Sequence, residues 1–184
     1  MNTVKNKHYE KTHDQIINCF IELIITNKKK ISVKDICSYC NINRSTFYMH
    51  FSDIDVLMDT VLANMFGSFA NDMTTLSIPA GNHPVSKEFI LSVVNIIFEN
   101  RMVFSYCVRN TNYLHMQKNT DYLIREIFLP RINSYMNIPE EDLHFYYAFI
   151  SSGFISVITR WIDDGCSQST EYVSNILFNA LPQL

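Results

Sequence analysis

Three places in the sequence combine residue types at spacings that could do chemistry: Cys37-x-x-Cys40, the acids Glu140-Glu141-Asp142 ahead of His144, and the polar run from Asn43 to His50. A Cys-x-x-Cys pair is half of a zinc site or a thiol redox centre. Zinc needs four ligands, and no second Cys or His pair stands at finger spacing; a redox pair would need a strand before it. Packing of small residues accounts for both thiols. The acids follow Pro139, where carboxylates favour the positive end of a helix dipole, so they read as a helix start rather than a catalytic set. There is no phosphate-cradling Gly loop, no dinucleotide fingerprint, no Gly-x-Ser-x-Gly and no His-Glu-x-x-His. The expectation is a protein that is not an enzyme, with no metal and no cofactor.

The third run has a different chemistry. Residues 31–51, ISVKDICSYCNINRSTFYMHF, predict two short helices joined by a tight turn. Ser32 stands three residues before Asp35, a capping-box start. Asn41 suits a left-handed turn position, and Asn43 is the N-cap of the second helix. On that helix Phe47 turns inward, while Arg44, Ser45, Tyr48 and Met49 share the outer face. Such a face can read a DNA groove. Arg44 can donate twice to guanine or hold a phosphate, and Ser45 and Thr46 can do either. Tyr48 and His50 more naturally reach phosphates, and Met49 can touch a thymine methyl. Ser32 and Lys34, in the first turn of the preceding helix, would meet the backbone across the groove, where helix N–H groups add donors.

The elements that must hold this face are helical throughout. Ile16, Ile17, Phe20, Ile21 and Ile24 form one stripe, predicting a helix from about Tyr9 to Asn27 that ends at Lys28-Lys29-Lys30. Ser52-Asp53 opens a longer helix to about Leu76. Pro79, Gly81 and Pro84 mark the clearest loop, Ser77 to Ser86. Phe89, Ile90, Val93, Val94 and Ile97 mark the next helix. Residues 101–136 read as two helices broken around Asn110-Asn112, the second interrupted by Pro130. Pro139 starts a helix that runs to Gly165 as its cap, and Ser169 starts the last one. No period-two strand is evident. The expected fold is all-α with about nine helices, divided into a head, 1–52, and a helical body, 53–184.

Charge follows the same division. Through Phe51 there are eight Lys or Arg against four Asp or Glu; from Ser52 onward there are seven against fourteen. A basic head on an acidic body suits a nucleic-acid binder with a separate regulatory part. Apolar residues at 47% and aromatics at 13% allow a packed core and exclude a disordered chain. No apolar run reaches transmembrane length, the N-terminus is polar, and five cysteines without framework spacing suit reduced thiols. Together these predict a cytoplasmic protein without a membrane partner.

The run KDIC-SYCNINRSTFYMHFSDIDVL resembles the signature of the TetR family of transcription regulators, in which a small–small–aliphatic turn precedes a polar recognition helix ending in Tyr-x-x-Phe. Cys40 stands where that family usually has Ala, Asn41 where it usually has Gly, and Tyr48 and Phe51 fall on its aromatic pair. Ile42 to His50, and GFISVITRWIDDGCSQSTEYV near the C-terminus, resemble a subgroup that includes an activator of dihydroxyacetone kinase operons. One position departs: Ile54 stands where the family usually carries a phosphate-contacting Lys. That role is not carried over, and phosphate affinity would lean on Lys34, Tyr48 and His50. The resemblance implies a homodimer on a palindromic double-stranded operator, responsive to a small-molecule effector or a protein co-regulator. The alternative is a helical interaction module, or a partner-dependent co-regulator that does not bind DNA alone.

For the body, the helix from Leu143 to Ile162 is apolar nearly all round apart from Ser151, Ser152, Gly153 and Ser156, which predicts burial and close approach of another helix. A four-helix bundle across a two-fold axis is expected, with Tyr147, Ser151, Phe154, Ile158, Trp161, Val173, Ile176 and Leu177 at the interface. Phe98, Met102, Tyr106, Tyr113 and Tyr146, with His115 as a polar handle, are candidate pocket residues, although aromatic and Met positions at helical spacing are more often plain core.

Overall fold

The computed structural model describes residues 3–26, 30–73, 85–110 and 138–181. Among the described residues there are eight helices and no strand. They are α1 (Thr3–Thr26), α2 (Val33–Cys40), α3 (Arg44–His50), α4 (Ile54–Met73), α5 (Lys87–Glu99), α6 (Arg101–Asn110), α7 (Leu143–Asp163) and α8 (Thr170–Ala180). The all-α expectation holds. No single helix among the described residues is long and apolar enough to cross a membrane.

The sequence signals that mark helix ends recur as hydrogen bonds. Asp53 Oδ1 accepts from the Val56 N–H at 2.9 Å and opens α4. Ser86 Oγ accepts from the Phe89 N–H, and Ser169 Oγ from the Tyr172 N–H, at the starts of α5 and α8. Gly165, at φ 75°, ends α7: its N–H donates to the Ile162 carbonyl, and the Cys166 N–H to that of Trp161. This paired closure uses carbonyls the helix would otherwise leave open. Pro139 does not begin α7, as the sequence suggests. Its carbonyl accepts from the Asp142 N–H at 2.9 Å, making a separate turn, and Asp142 precedes the helix with no side-chain cap bond.

The chain divides into two compact units: residues falling within Met1–Asn64 and Met102–His115, and residues falling within Met65–Arg101 and Met116–Leu184. The first contains α1–α3, the first half of α4 and nearly all of α6. Ile16, Phe20 and Ile24 of α1, Ile36 of α2, Phe47 of α3, Leu57 and Met58 of α4 and Cys107 of α6 are almost fully buried there. Burying each of the larger side chains contributes roughly 1.5–3 kcal/mol, so the two short helices owe their stability to these anchors. A seven-residue helix alone would be marginal.

In the second unit α8 packs against α5 and α7. Phe89, Ile90, Val93, Val94 and Ile97 of α5 form its centre, as their spacing predicts. Trp161 of α7 stacks on Phe98 at 5.6 Å between ring centroids, and its indole N–H donates to the Gln168 carbonyl at 3.0 Å. Tyr147, Ser151, Ile158 and Trp161 of α7, and Val173 and Leu177 of α8, are buried inside this unit. Phe154 is half-buried, and Ile176 is 44% exposed. Most of this expected stripe therefore also packs within the protomer. The face left to solvent is another one, carrying Phe145, Phe149, Ser152, Gly153 and Ser156.

Candidate nucleic-acid interface

The helix-turn-helix is built by local hydrogen bonds that its sequence supplies. Ser32 and Asp35 make a reciprocal box at the start of α2: the Asp35 N–H donates to Ser32 Oγ, and the Ser32 N–H and hydroxyl donate to Asp35 Oδ2. Those bonds hold the Asp35 carboxyl below its usual range. Asn41 closes α2 at φ 54° and ψ 46°, a left-handed conformation that Asn tolerates better than most residues. The Ile42 N–H then donates to the Cys37 carbonyl at 3.0 Å, which seats the turn. Asn43 Oδ1 caps α3 by accepting from the Thr46 N–H at 2.7 Å.

Five of the expected contact residues, Asn43, Arg44, Ser45, Tyr48 and Met49, lie exposed on or beside α3, and Thr46 is half-buried. Tyr48 is 55% and Met49 66% exposed, whereas Phe47 beneath them is fully buried. The hydroxyls of Ser45 and Thr46 donate to Asn43 Oδ1 at 2.6 and 2.9 Å. With their hydrogens so engaged, these hydroxyls keep acceptor capacity for a base amino group. The Asn43 amide NH₂, the Arg44 guanidinium and the Tyr48 hydroxyl are donors on this face. Ser32 and Lys34 are exposed at the start of α2. Ser32 already spends its hydroxyl hydrogen on Asp35, which leaves Lys34 as the cation there.

His50 turns differently from its neighbours. Its ring lies 4.2 Å from that of Tyr9 and 5.7 Å from that of His13, both on α1, and its Nδ1 is buried without a hydrogen-bond partner. Burial, reinforced by the neighbouring His13, lowers its pKa. Sequence reasoning missed Tyr9 and His13, because a lone His and Tyr at the polar end of a helix carry no periodicity signal. Cys37 and Cys40 are buried between the helices, and burial raises both thiols' pKa values.

The described candidate pocket residues are divided between the two units. Tyr106 belongs to the first unit, edge-on to Phe20 at 5.8 Å, and its hydroxyl accepts from the Ile31 N–H at 2.9 Å. Phe98 belongs to the second unit, between Trp161 and the Arg101 guanidinium 4.9 Å from its centroid. Met102 and Tyr146 are exposed. Tyr113 and His115 lie outside the described residues.

A tight helix-turn-helix with a polar outer face, on a chain whose described residues are otherwise all helical, defines the class: helix-turn-helix DNA-binding regulators. A family model described as the transcriptional regulator C-terminal region of TetR type matches residues 86–183. The chain belongs to the TetR family of transcriptional regulators. Among solved structures it is similar to a TetR transcriptional regulator from Streptococcus agalactiae 2603V, with a TM-score of 0.69 at 20% identity over 97% of this chain and 98% of that one. It is also similar to the fatty acid degradation regulator FadR from Bacillus halodurans, with a TM-score of 0.56 at 13% identity over 94% and 97%. No curated protein matches by sequence. At these identities the likeness concerns the fold.

Proposed function

We propose that this chain is a homodimeric, sequence-specific regulator that reads a palindromic operator through α3, with residues 1–52 binding DNA and 53–184 carrying dimerisation and effector response. The observation that carries the reading is the outer face of α3: Arg44, Ser45, Tyr48 and Met49 are held exposed by a fully buried Phe47 beneath them. Lys34 at the first turn of α2 supplies a backbone contact. Similarity of Ile42–His50 and of residues 153–173 to the subgroup containing a dihydroxyacetone kinase operon activator supports placing the chain there.

Dimerisation is supported by the solvent face of α7. Phe145 is 66% and Phe149 79% exposed, one turn apart, followed by Ser152, Gly153 and Ser156. A Cβ on Gly153 would meet nothing within 4 Å, so the protomer itself has no need of a glycine there. A groove of about 450 Å³ between α7 and α8, lined by Ser156, Val157, Trp161, Tyr172, Val173 and Ile176, continues this face. Exposed large aromatics beside small residues are what a second helix pair would cover. Effector response rests on α6, whose Tyr106 bonds the backbone just ahead of α2; a ligand that moved α6 would act on the head directly. A reducing, cytoplasmic setting fits the five free thiols.

The test is selection of bound fragments from random duplex DNA by the purified full chain at physiological salt. Recovery of a palindrome with two half-sites about one helical turn apart is the expected result. No enrichment from a protein that still sediments as a dimer would replace this reading with that of an interaction module or a partner-dependent co-regulator.

A further inference from the structure

Two imidazoles meet where the recognition helix ends. His50 is the last residue of α3, and Phe51 follows it. His13 of α1 stacks on Phe51 at 4.6 Å between centroids and faces His50 at 5.7 Å, while Tyr9, one turn earlier on α1, covers His50 at 4.2 Å. The Tyr9 hydroxyl also reaches the Met49 carbonyl, at 3.4 Å. The Nδ1 atoms of both histidines are buried and without a partner. A buried, unbonded ring nitrogen is tolerable as a bare lone pair on a neutral ring. As the N–H of an imidazolium it is costly, since a charge and a donor would both lack compensation.

We propose that His13 positions the C-terminal end of α3, its ring and that of His50 forming a latch between α1 and the recognition helix that protonation of His50 opens. The latch rests on reading α3 as the DNA-reading helix, but its own mechanics do not require DNA. The titratable groups that face His50 are Tyr9 and His13, both from α1; Phe51 is uncharged, and no carboxylate acts on the ring among the described residues. Among the described residues, no anion therefore stabilises a charged His50.

The direction follows. The folded chain holds His50 below its ordinary value of 6.5 through burial first and His13 second. Between the folded and ordinary values the unfolded or opened state binds more protons. The latch's contribution is present above the ordinary value and is lost as pH falls from there through the folded value. Opening frees the end of α3 that carries Tyr48, Met49 and His50.

The experiment is amide hydrogen exchange of the full chain without DNA, reading protection factors across residues 44–51 at about pH 7.5 and about pH 5.5, a range that only histidine ordinarily titrates through. The wild type should lose protection several-fold at the lower pH. In His13→Phe, which keeps a ring but removes the second imidazole from beside His50, that loss should shrink; His13→Gln is made alongside, so that a packing defect in one variant does not decide. Equal protection at both pH values in the wild type, or an undiminished acid loss in both variants, would overturn the latch. Binding to fragments recovered from random duplex DNA is measured in parallel at the same two pH values. Exchange that responds to acid as expected, with no DNA bound at either pH, leaves the latch standing and removes α3's DNA-reading role. DNA binding that weakens in acid with unchanged exchange removes the latch and keeps that role.

Discussion

Arg44 and Lys34 are both exposed cations of the head, yet their positions give them different tasks. Arg44 opens α3 on the face that meets base edges, whereas Lys34 sits at the first turn of α2, where the phosphate backbone passes in the proposed docking. Arg44→Ala should cost about 1–3 kcal/mol at the selected operator and relax preference at one base pair. Lys34→Ala should weaken all sequences alike and lower the salt slope by about 1. Titrations on matched and scrambled duplexes at several salt concentrations separate the two, and equal small effects would remove both assignments. The thiols offer a second residue-level test. Cys37, Cys40 and Cys107 are buried, and burial pushes Cys107 up to about 12. Because the thiolate is the nucleophile, these three should stay unmodified by a maleimide in the native protein at neutral pH. Rapid modification of any of them, read by mass spectrometry, would show that its site opens. The outward residues of α3 were legible in sequence because helical spacing separates them from Phe47. The inward turn of His50 was not, because Tyr9 and His13 reach it from α1 about forty residues earlier in the chain.

At the level of elements, the clearest device is the closure of α2. Asn41 sits at φ 54°, where a side chain branched at Cβ is strained. Asn41→Gly should leave stability unchanged or raise it slightly, whereas Asn41→Val should cost about 1–3 kcal/mol. Urea unfolding measures both, and a Val variant as stable as the wild type would show that the turn can be remade. Helix starts marked by Ser32, Asn43, Asp53 and Ser169 were readable, because a cap is a bond between near neighbours. The starts of α1 and α7 were less so. Thr3–His8 carries no apolar stripe, yet it continues α1 upstream of Tyr9. The Pro139 signal was spent on a turn that precedes α7 instead of on the helix itself.

The whole molecule depends on which face of α7 goes where. Phe149→Glu places a charge at the centre of the proposed dimer face, at a position 79% exposed in the protomer. It should leave each protomer folded and shift the sedimentation profile from dimer to monomer at micromolar concentration. A Phe149→Glu protein that remains dimeric would move the interface elsewhere. Operator affinity should fall with the loss of dimer, because two linked half-sites bind far more tightly than one.

By itself, the sequence determined the all-α class, the helix-turn-helix with its turn at Asn41, and the polar face of α3. Those features rest on periodicity, caps and a left-handed residue, all interactions within a few positions of one another. Only the tertiary structure decided the rest. It turned Tyr147, Ser151, Ile158, Trp161, Val173 and Leu177 into protomer core and left Phe145 and Phe149 outside. It also brought His13 to His50. A helix that is apolar nearly all round has no unique inner face in one dimension. Which stripe is buried is settled only when a neighbouring helix packs against it.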